Sequence, residues 1–418
     1  MARTGKIFYG WWIVLAAAVG LLFSKGPVIF FTFGAFFGPL GADLQWSRAD
    51  ISVALTLGTV MECIALPVVG RMVDRYGARR VAAPSLFLFG TSVASLYFLT
   101  PNLWHLYAVF VLTGLVTSGS TPLPYARVVS EWFDQRRGLA LGLTMAGAGV
   151  GTLVMPSLAH WLVSIHGWRA AYACLGLLVI VIAVPTVALV LREKPAMMGL
   201  QTDGKRRVDT PVEMLRNRKQ GTEYRDAWHS RVFWVLAVTF FLVSVVTSGC
   251  LVHLMPLLTD RGVSGQSAAF AASLSGSAVL IGRVGTGYLL DRFFAPHVTI
   301  GFFLLLALGV FLLWSEVAGS GAVLAAMLVG LGLGAEVDII AFLVGRYFGI
   351  RAFGEIYGYL FGGFVLGTGV GPLVMGGGFD AMGSYRGVPG AFVLVTLVAS
   401  GLMTRLGPYR FEAGTDNR

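Results

Sequence analysis

Apolar residues fill this chain in long runs rather than in short alternating stretches. Twelve such runs can be read, over 10–34, 51–70, 81–100, 103–127, 139–163, 169–191, 232–256, 268–290, 298–316, 321–345, 354–378 and 388–405. Each is close to the about 20 residues a helix needs to cross the hydrocarbon core of a bilayer. Backbone polar groups in lipid must pair within one helix or around a closed barrel, and these runs are too long and too evenly apolar for barrel strands. The pattern predicts an all-α membrane protein with twelve transmembrane helices, six on each side of one polar stretch. The expected organisation is a six-helix bundle over 1–191, a basic linker over 192–231 and a second six-helix bundle over 232–418.

The polar positions repeat as well. Gly70-Arg71-Met72-Val73-Asp74-Arg75-Tyr76-Gly77-Ala78-Arg79-Arg80 lies between the second and third runs, and Gly287-Tyr288-Leu289-Leu290-Asp291-Arg292 follows 217 residues later between the eighth and ninth. Trp132-Phe133 with Arg136 answers to Tyr347-Phe348 with Arg351, and Gly167-Trp168-Arg169 to Ser384-Tyr385-Arg386. One unit used twice is how many solute transporters are built.

Composition agrees with lipid as solvent: 56% of residues are hydrophobic and 12% charged, with a mean hydropathy of +0.76. The first run is too long for the apolar core of a signal peptide and should stay as an uncleaved helix. Cys63, Cys174 and Cys250 all fall inside apolar runs without metal-type spacing, so neither a disulfide framework nor a metal site is expected. The net charge of +10 does not point to nucleic acid. With both termini on the cytoplasmic side, 24 of the 31 Lys and Arg lie inside, four (Arg48, Arg169, Arg261, Arg386) outside and three within helices. That is the bias that orients membrane proteins. The linker charges suit a solvated connection and could also hold anionic lipid headgroups.

The Gly-x-x-x-Asp-Arg-x-Gly-x-Arg-Arg sentence over 70–80, with its reduced echo at 287–292, resembles the signature of the major facilitator superfamily. The resemblance implies two pseudo-symmetric six-helix bundles and a gate formed by Gly70, Asp74, Arg75, Gly77, Arg79, Arg80, Asp291 and Arg292. It places Asp74 near a helix N-terminus of the opposite half, where the dipole favours an anion. The basic residues would pair with acids at neighbouring helix ends. Phe8-Tyr9-Gly10-Trp11-Trp12 and Trp132-Phe133-Asp134-Gln135-Arg136-Arg137-Gly138-Leu139-Ala140-Leu141-Gly142 resemble the monocarboxylate and oxalate/formate branch, whose eighth-helix arginine corresponds to Arg283. Two departures count. Val279 stands where that branch often has an Asp, and 354–378 lacks the lysine of the oxalate exchangers, which favours a monocarboxylate. The fifth run also lacks the Gly-Pro of drug antiporters, since Gly371-Pro372 falls in the eleventh.

Charges inside the runs point to a cavity, because each costs about 2.5–3.5 kcal/mol at a helix centre on insertion scales. They are Lys25, Arg127, Arg283, Glu62, Glu336 and Asp338, with His253 near the outer end of the seventh run. Arg283 precedes Arg292 by nine residues and Asp338 precedes Arg346 by eight, so the two should share a depth. Arginine's fork matches a carboxylate, so Arg283 is a candidate anion anchor, with a structural ion pair to Asp338 or Glu336 as the plainer alternative. Lys25 is a second anchor or a lysine snorkelling to the surface, and Tyr125 a hydroxyl donor. Asp338, Glu336 and His253 are the candidate proton-coupling groups, Glu336 alternatively packing and ion-pairing at the gate. Glu62 is an ion-pair candidate, and Arg127 should pair with Glu131 one turn on.

The function expected from residues and resemblance together is a secondary transporter moving a small monocarboxylate of the lactate or pyruvate type with a proton, by alternating access. An organic-anion or drug antiporter, or an oxalate/formate-type exchanger, is the alternative on the same fold. An enzyme is not expected, since no nucleophile with a positioned base, metal cluster or cofactor loop can be read. No cofactor is implied. The partners are the carboxylate, the proton and the bilayer, for a monomer in a bacterial inner membrane.

Overall fold

The computed structural model describes residues 8–46, 48–204, 221–317 and 319–411. The middle of the expected linker and both chain ends, with their basic residues, lie outside the described residues. Among the described residues ten helices are long and apolar enough to span a membrane, and a shorter apolar helix, Gly387–Met403, follows them. One of the ten, Arg137–Val190, is two helices. Its chain turns back at Gly167, whose φ of 77° suits a residue without Cβ. Twelve crossings result: α1 (Gly10–Phe30), α2 (Arg48–Tyr76), α3 (Ala78–Phe98), α4 (Leu103–Trp132), α5 (137–166), α6 (168–190), α7 (Arg231–Val252), α8 (Gly265–Leu290), α9 (Ala295–Trp314), α10 (Ser320–Tyr347), α11 (Phe353–Met382) and α12 (Gly387–Met403).

Helix ends depart from the hydropathy runs where charge lies inside a helix. The run at 51–70 continues as helix to Tyr76, so the residues Arg71 to Asp74 that read as loop form the last turns of α2. Only Gly77 (φ 93°) remains as the turn. The next helix is capped from a distance, Glu193 accepting from the Ala78 and Arg79 N–H groups at 2.9 and 2.7 Å. The first run ends earlier than expected: a π-turn, Gly26–Phe30, follows Lys25 and closes α1, and a separate helix runs over Gly34–Leu44.

The first six helices form one bundle, in which α1 packs on α5, α2 on α4 and α3 on α6. The second bundle pairs α7 with α11, α8 with α10 and α9 with α10 and α12. Small residues let the backbones approach. A Cβ on Gly334 would meet the Val279 carbonyl, and one on Gly330 the Ser275 carbonyl, both across the α8–α10 seam. Gly334→Ala is therefore expected to destabilise the second bundle by about 1–3 kcal/mol, the usual cost of forcing extra atoms into a packed site. Thermal unfolding in detergent checks this, and an unchanged midpoint would mean the seam can spread.

The bundles meet through α2 against α11 and α5 against α8, with α4 and α5 touching α10. At the basic end these contacts are backbone-close, at Gly70 with Gly354 and Gly138 with Gly287. Nearer mid-membrane, a Cβ on Gly362 would lie 3.7 Å from the Cys63 carbonyl, and one on Gly149 3.1 Å from the Leu280 side chain. The halves are shut at the basic end.

Candidate functional site

Two pseudo-symmetric carboxylates hold the shut end. Asp74, in the last turn of α2, accepts from the Gly354 and Glu355 N–H groups at 2.9 Å each, at the N-terminus of α11 in the other half. Asp291, just past α8, accepts from the Gly138 and Leu139 N–H groups at 2.6 and 2.9 Å, at the N-terminus of α5. In each case a carboxylate satisfies orphan donors at the positive end of a helix dipole. Burial pushes the Asp291 carboxyl up to about 6, outweighing the two N–H bonds that pull it down. Gly70 and Gly138 sit where any side chain would strike the opposing backbone.

Arginines brace these locks. Arg71 Nε donates to Glu355 Oε1 at 2.7 Å across the halves, and Arg346 donates to Asp134 through Nη1 at 3.0 Å. Arg127 does not pair with Glu131 as the one-turn spacing suggested. Its Nε reaches Asp74 Oδ1 at 2.8 Å, while Glu131 faces Lys194 at 3.8 Å. The reason is burial: Asp74 lies inside the interface and needs a cation, whereas Glu131 can be served from the linker. Arg75 and Arg80 are exposed, Arg79 half-buried, and Arg292 lies over the Tyr288 ring at 3.9 Å.

Two ion pairs occupy the interior. Lys25 Nζ lies 2.6 Å from Glu62 Oε2, joining α1 to α2, and also reaches Thr59 Oγ1 at 3.4 Å. Lys25 is thus not snorkelling to the surface, because a buried acid holds it. Arg283 Nη1 lies 3.8 Å from Asp338 Oδ1, joining α8 to α10, with no hydrogen bond between them. Arg283 Nε and both Asp338 oxygens are buried without a partner among the described residues. Such atoms are costly unless something completes them. The Lys25, Glu62 and Arg283 side chains remain 9%, 10% and 13% accessible, so they border open space, whereas Asp338 is sealed.

Other predicted groups divide by location. The Tyr125 hydroxyl is buried, unpartnered, and pressed against Gly20 of α1. Tyr357 of α11, which sequence reading did not single out, adds a second buried, unpartnered hydroxyl within electrostatic reach of Asp338 and Arg283. Glu336 makes no ion pair at the gate. It is fully buried beside Thr247 of α7, two residues from Asp338 but facing another neighbour. His253 is remote from these groups: its Nδ1 meets the Tyr385 hydroxyl at 2.9 Å and its Nε2 the Pro372 carbonyl at 3.1 Å. A carbonyl only accepts, so Nε2 carries a proton there. Among the described residues no cluster of His, Cys, Asp and Glu could hold a metal ion.

What the arrangement can do is close one end, open the other, and present cations to a buried anion. Comparisons with known proteins agree with that reading of the architecture. The sequence profile of the Major Facilitator Superfamily matches residues 9–351. Monocarboxylate transporter 13 of Bos taurus is 26% identical over 294 residues, an alignment spanning 69% of this chain and 63% of the bovine protein. The 4-hydroxybenzoate transporter PcaK of Pseudomonas aeruginosa is 26% identical over 84% of this chain and 85% of its own. Among solved structures, the proton:xylose symporter XylE superposes with a TM-score of 0.74 at 15% identity, covering 96% of both chains. The human organic anion transporter MFSD10 gives 0.72 at 16% identity, covering 94% of this chain and 99% of its own. A chain of twelve crossings, folded as two bundles locked by Asp74 and Asp291 and matched by that profile over most of its length, belongs to the major facilitator superfamily of membrane transporters.

Proposed function

We propose that the protein carries a small monocarboxylate, of the lactate or pyruvate class, together with a proton across a bacterial inner membrane. Both termini lie in the cytoplasm in this reading, so the shut basic end faces inward and the opposite end outward. The carrying observation is Arg283, a buried cation that borders open space with an unpaired Nε and an acid 3.8 Å away that it does not hydrogen-bond. A carboxylate placed between the halves completes those donors, and the Tyr357 hydroxyl adds one more. The similarity to monocarboxylate and 4-hydroxybenzoate transporters supports a carboxylate as cargo.

Charge conservation supplies the coupling. Arg283 and Asp338 together are neutral, so an added anion leaves one uncompensated negative charge in a low-dielectric interior. A proton on Asp338 removes it. Loaded with both, the site is neutral and the two bundles can rock about it; release of the proton on the inner side returns Asp338 to Arg283 and expels the anion.

Asp338→Asn fixes the neutral state. Counterflow of labelled lactate in proteoliposomes should persist in this variant, while accumulation driven by an inward pH gradient is lost. Accumulation that survives in the variant removes Asp338 from the coupling. Exchange of no carboxylate by the wild-type protein rejects the proposed cargo.

A further inference from the structure

The two interior ion pairs differ in how they would receive an anion. Arg283 keeps donors free, because it stands 3.8 Å from Asp338 without a hydrogen bond. Lys25 does not: its ammonium is held by Glu62 at 2.6 Å and by Thr59 at 3.4 Å. The pairs also lie at different depths. Glu62 stands twelve residues before the gate acid Asp74, and Arg283 eight before Asp291. At 1.5 Å per helical residue, Lys25–Glu62 is about 6 Å further from the shut end. An anion entering from the opposite end meets Lys25 first and finds its charge cancelled.

Position and surroundings single out this pair. Cys63, the neighbour of Glu62, carries the α2 carbonyl that Gly362 of α11 approaches. The pair thus lies beside the seam between the halves, with both side chains still partly accessible. The groups around Glu62 are Lys25 from α1, Thr59 and Cys63 from its own helix, and Ser118 from the break in α4, whose hydroxyl donates to the Glu62 carbonyl at 3.4 Å. From α11, Gly358 and Gly362 approach the neighbouring Leu66, Pro67 and Cys63 of α2. Lys25 is then the one cation in contact with Glu62 among the described residues. It also immediately precedes the π-turn Gly26–Phe30, an irregularity of the kind found at functional positions in helices.

We propose that protonation of Glu62 releases Lys25 to capture the entering carboxylate, a proton-dependent entry step separate from the Arg283–Asp338 site. The proposal rests on the carboxylate-transport reading above. A proton from outside water binds Glu62 Oε2, the neutral carboxyl lets go of the ammonium, and Lys25, keeping its own proton, donates to the carboxylate of the substrate. Before the step the pair is neutral; after it, one ammonium faces one substrate carboxylate beside a neutral acid, and the region is neutral again. The anion displaces the acid without leaving a buried charge unpaired, which is the costly alternative. Passage inward to Arg283 reverses the step, and Glu62 returns its proton as it recaptures Lys25.

The test is lactate counterflow in proteoliposomes of the full chain carrying Asp338→Asn, which fixes the inner site in its neutral state, with KM measured at acidic and alkaline outside pH. In that parent KM should fall about tenfold towards acid, as the fraction with Lys25 released rises. Glu62→Gln, close in shape and unable to ionise, should have a KM that is low at both pH values and equal within about twofold. Lys25→Gln placed in the Glu62→Gln background leaves no unpaired buried charge and should raise KM about tenfold again. A Glu62→Gln protein that keeps the pH dependence of this parent overturns the proposal, as does a Lys25→Gln addition that leaves KM where Glu62→Gln put it. Either result leaves the transport reading intact; absence of carboxylate exchange in the wild type overturns both.

Discussion

Arg283→Ala is expected to abolish carboxylate uptake, lowering its rate by roughly hundredfold or more, the scale of losing a buried, charge-assisted anchor. Arg283→Lys should recover only part of it, because an ammonium supplies charge without the planar fork. The reason lies in the neighbourhood. Asp338 is sealed and has no hydrogen-bond partner, so without Arg283 it must take a proton to stay buried. The protein then folds with a neutral site that has nothing to draw an anion out of water. Initial uptake of labelled lactate, set beside thermal unfolding of the same preparations, checks the claim. Uptake by the alanine variant within about threefold of wild type makes Arg283 a structural partner only.

Gly70→Val is expected to hold the basic end open. Gly70 lies against the Gly354 backbone carbonyl across the halves, where rigid main chain cannot move aside as a flexible side chain can. The bulk costs about 1–3 kcal/mol in the shut arrangement and nothing once the halves separate there, so the shut population falls by about five- to hundredfold. Spin labels at Arg80 and His297, both exposed and on opposite halves, read the change as a longer distance. Uptake from outside should fall in parallel, since the outward-open state requires the shut gate. An unchanged distance distribution with normal uptake contradicts the role assigned to this glycine. The contrast with Gly334→Ala is useful: that site is inside one bundle, so its strain lowers stability without favouring either gate.

Much of this architecture is legible from hydrophobic run length alone, because lipid leaves a backbone few ways to satisfy its polar groups. The half-length repeat marked the paired carboxylates at 74 and 291, which are local features of two copies of one motif. The buried cations were equally visible, since a Lys or Arg inside an apolar run stands out whatever its fold. Partner choice was not. Arg127 has an acid one turn away at Glu131, yet it serves Asp74, because Asp74 is desolvated by α11, a helix some 280 residues further along the chain. Glu62 and Tyr357 gave weak signals, one an acid without a sequence neighbour of opposite charge and the other one of several helix-11 aromatics.

The sequence by itself determined that this chain crosses a membrane repeatedly, that it is a doubled unit, and which charges lie inside its apolar runs. These follow from solvent and period, which act within a segment. Only the tertiary structure decided that Lys25 is hydrogen-bonded by Glu62 while Arg283 pairs with Asp338 without a hydrogen bond, that Glu336 faces α7 and not the gate, and that the halves are shut at one end. Those outcomes depend on which helix faces which. Close backbone approaches at Gly70, Gly138 and Gly362 set that, and it brings together residues far apart in the chain.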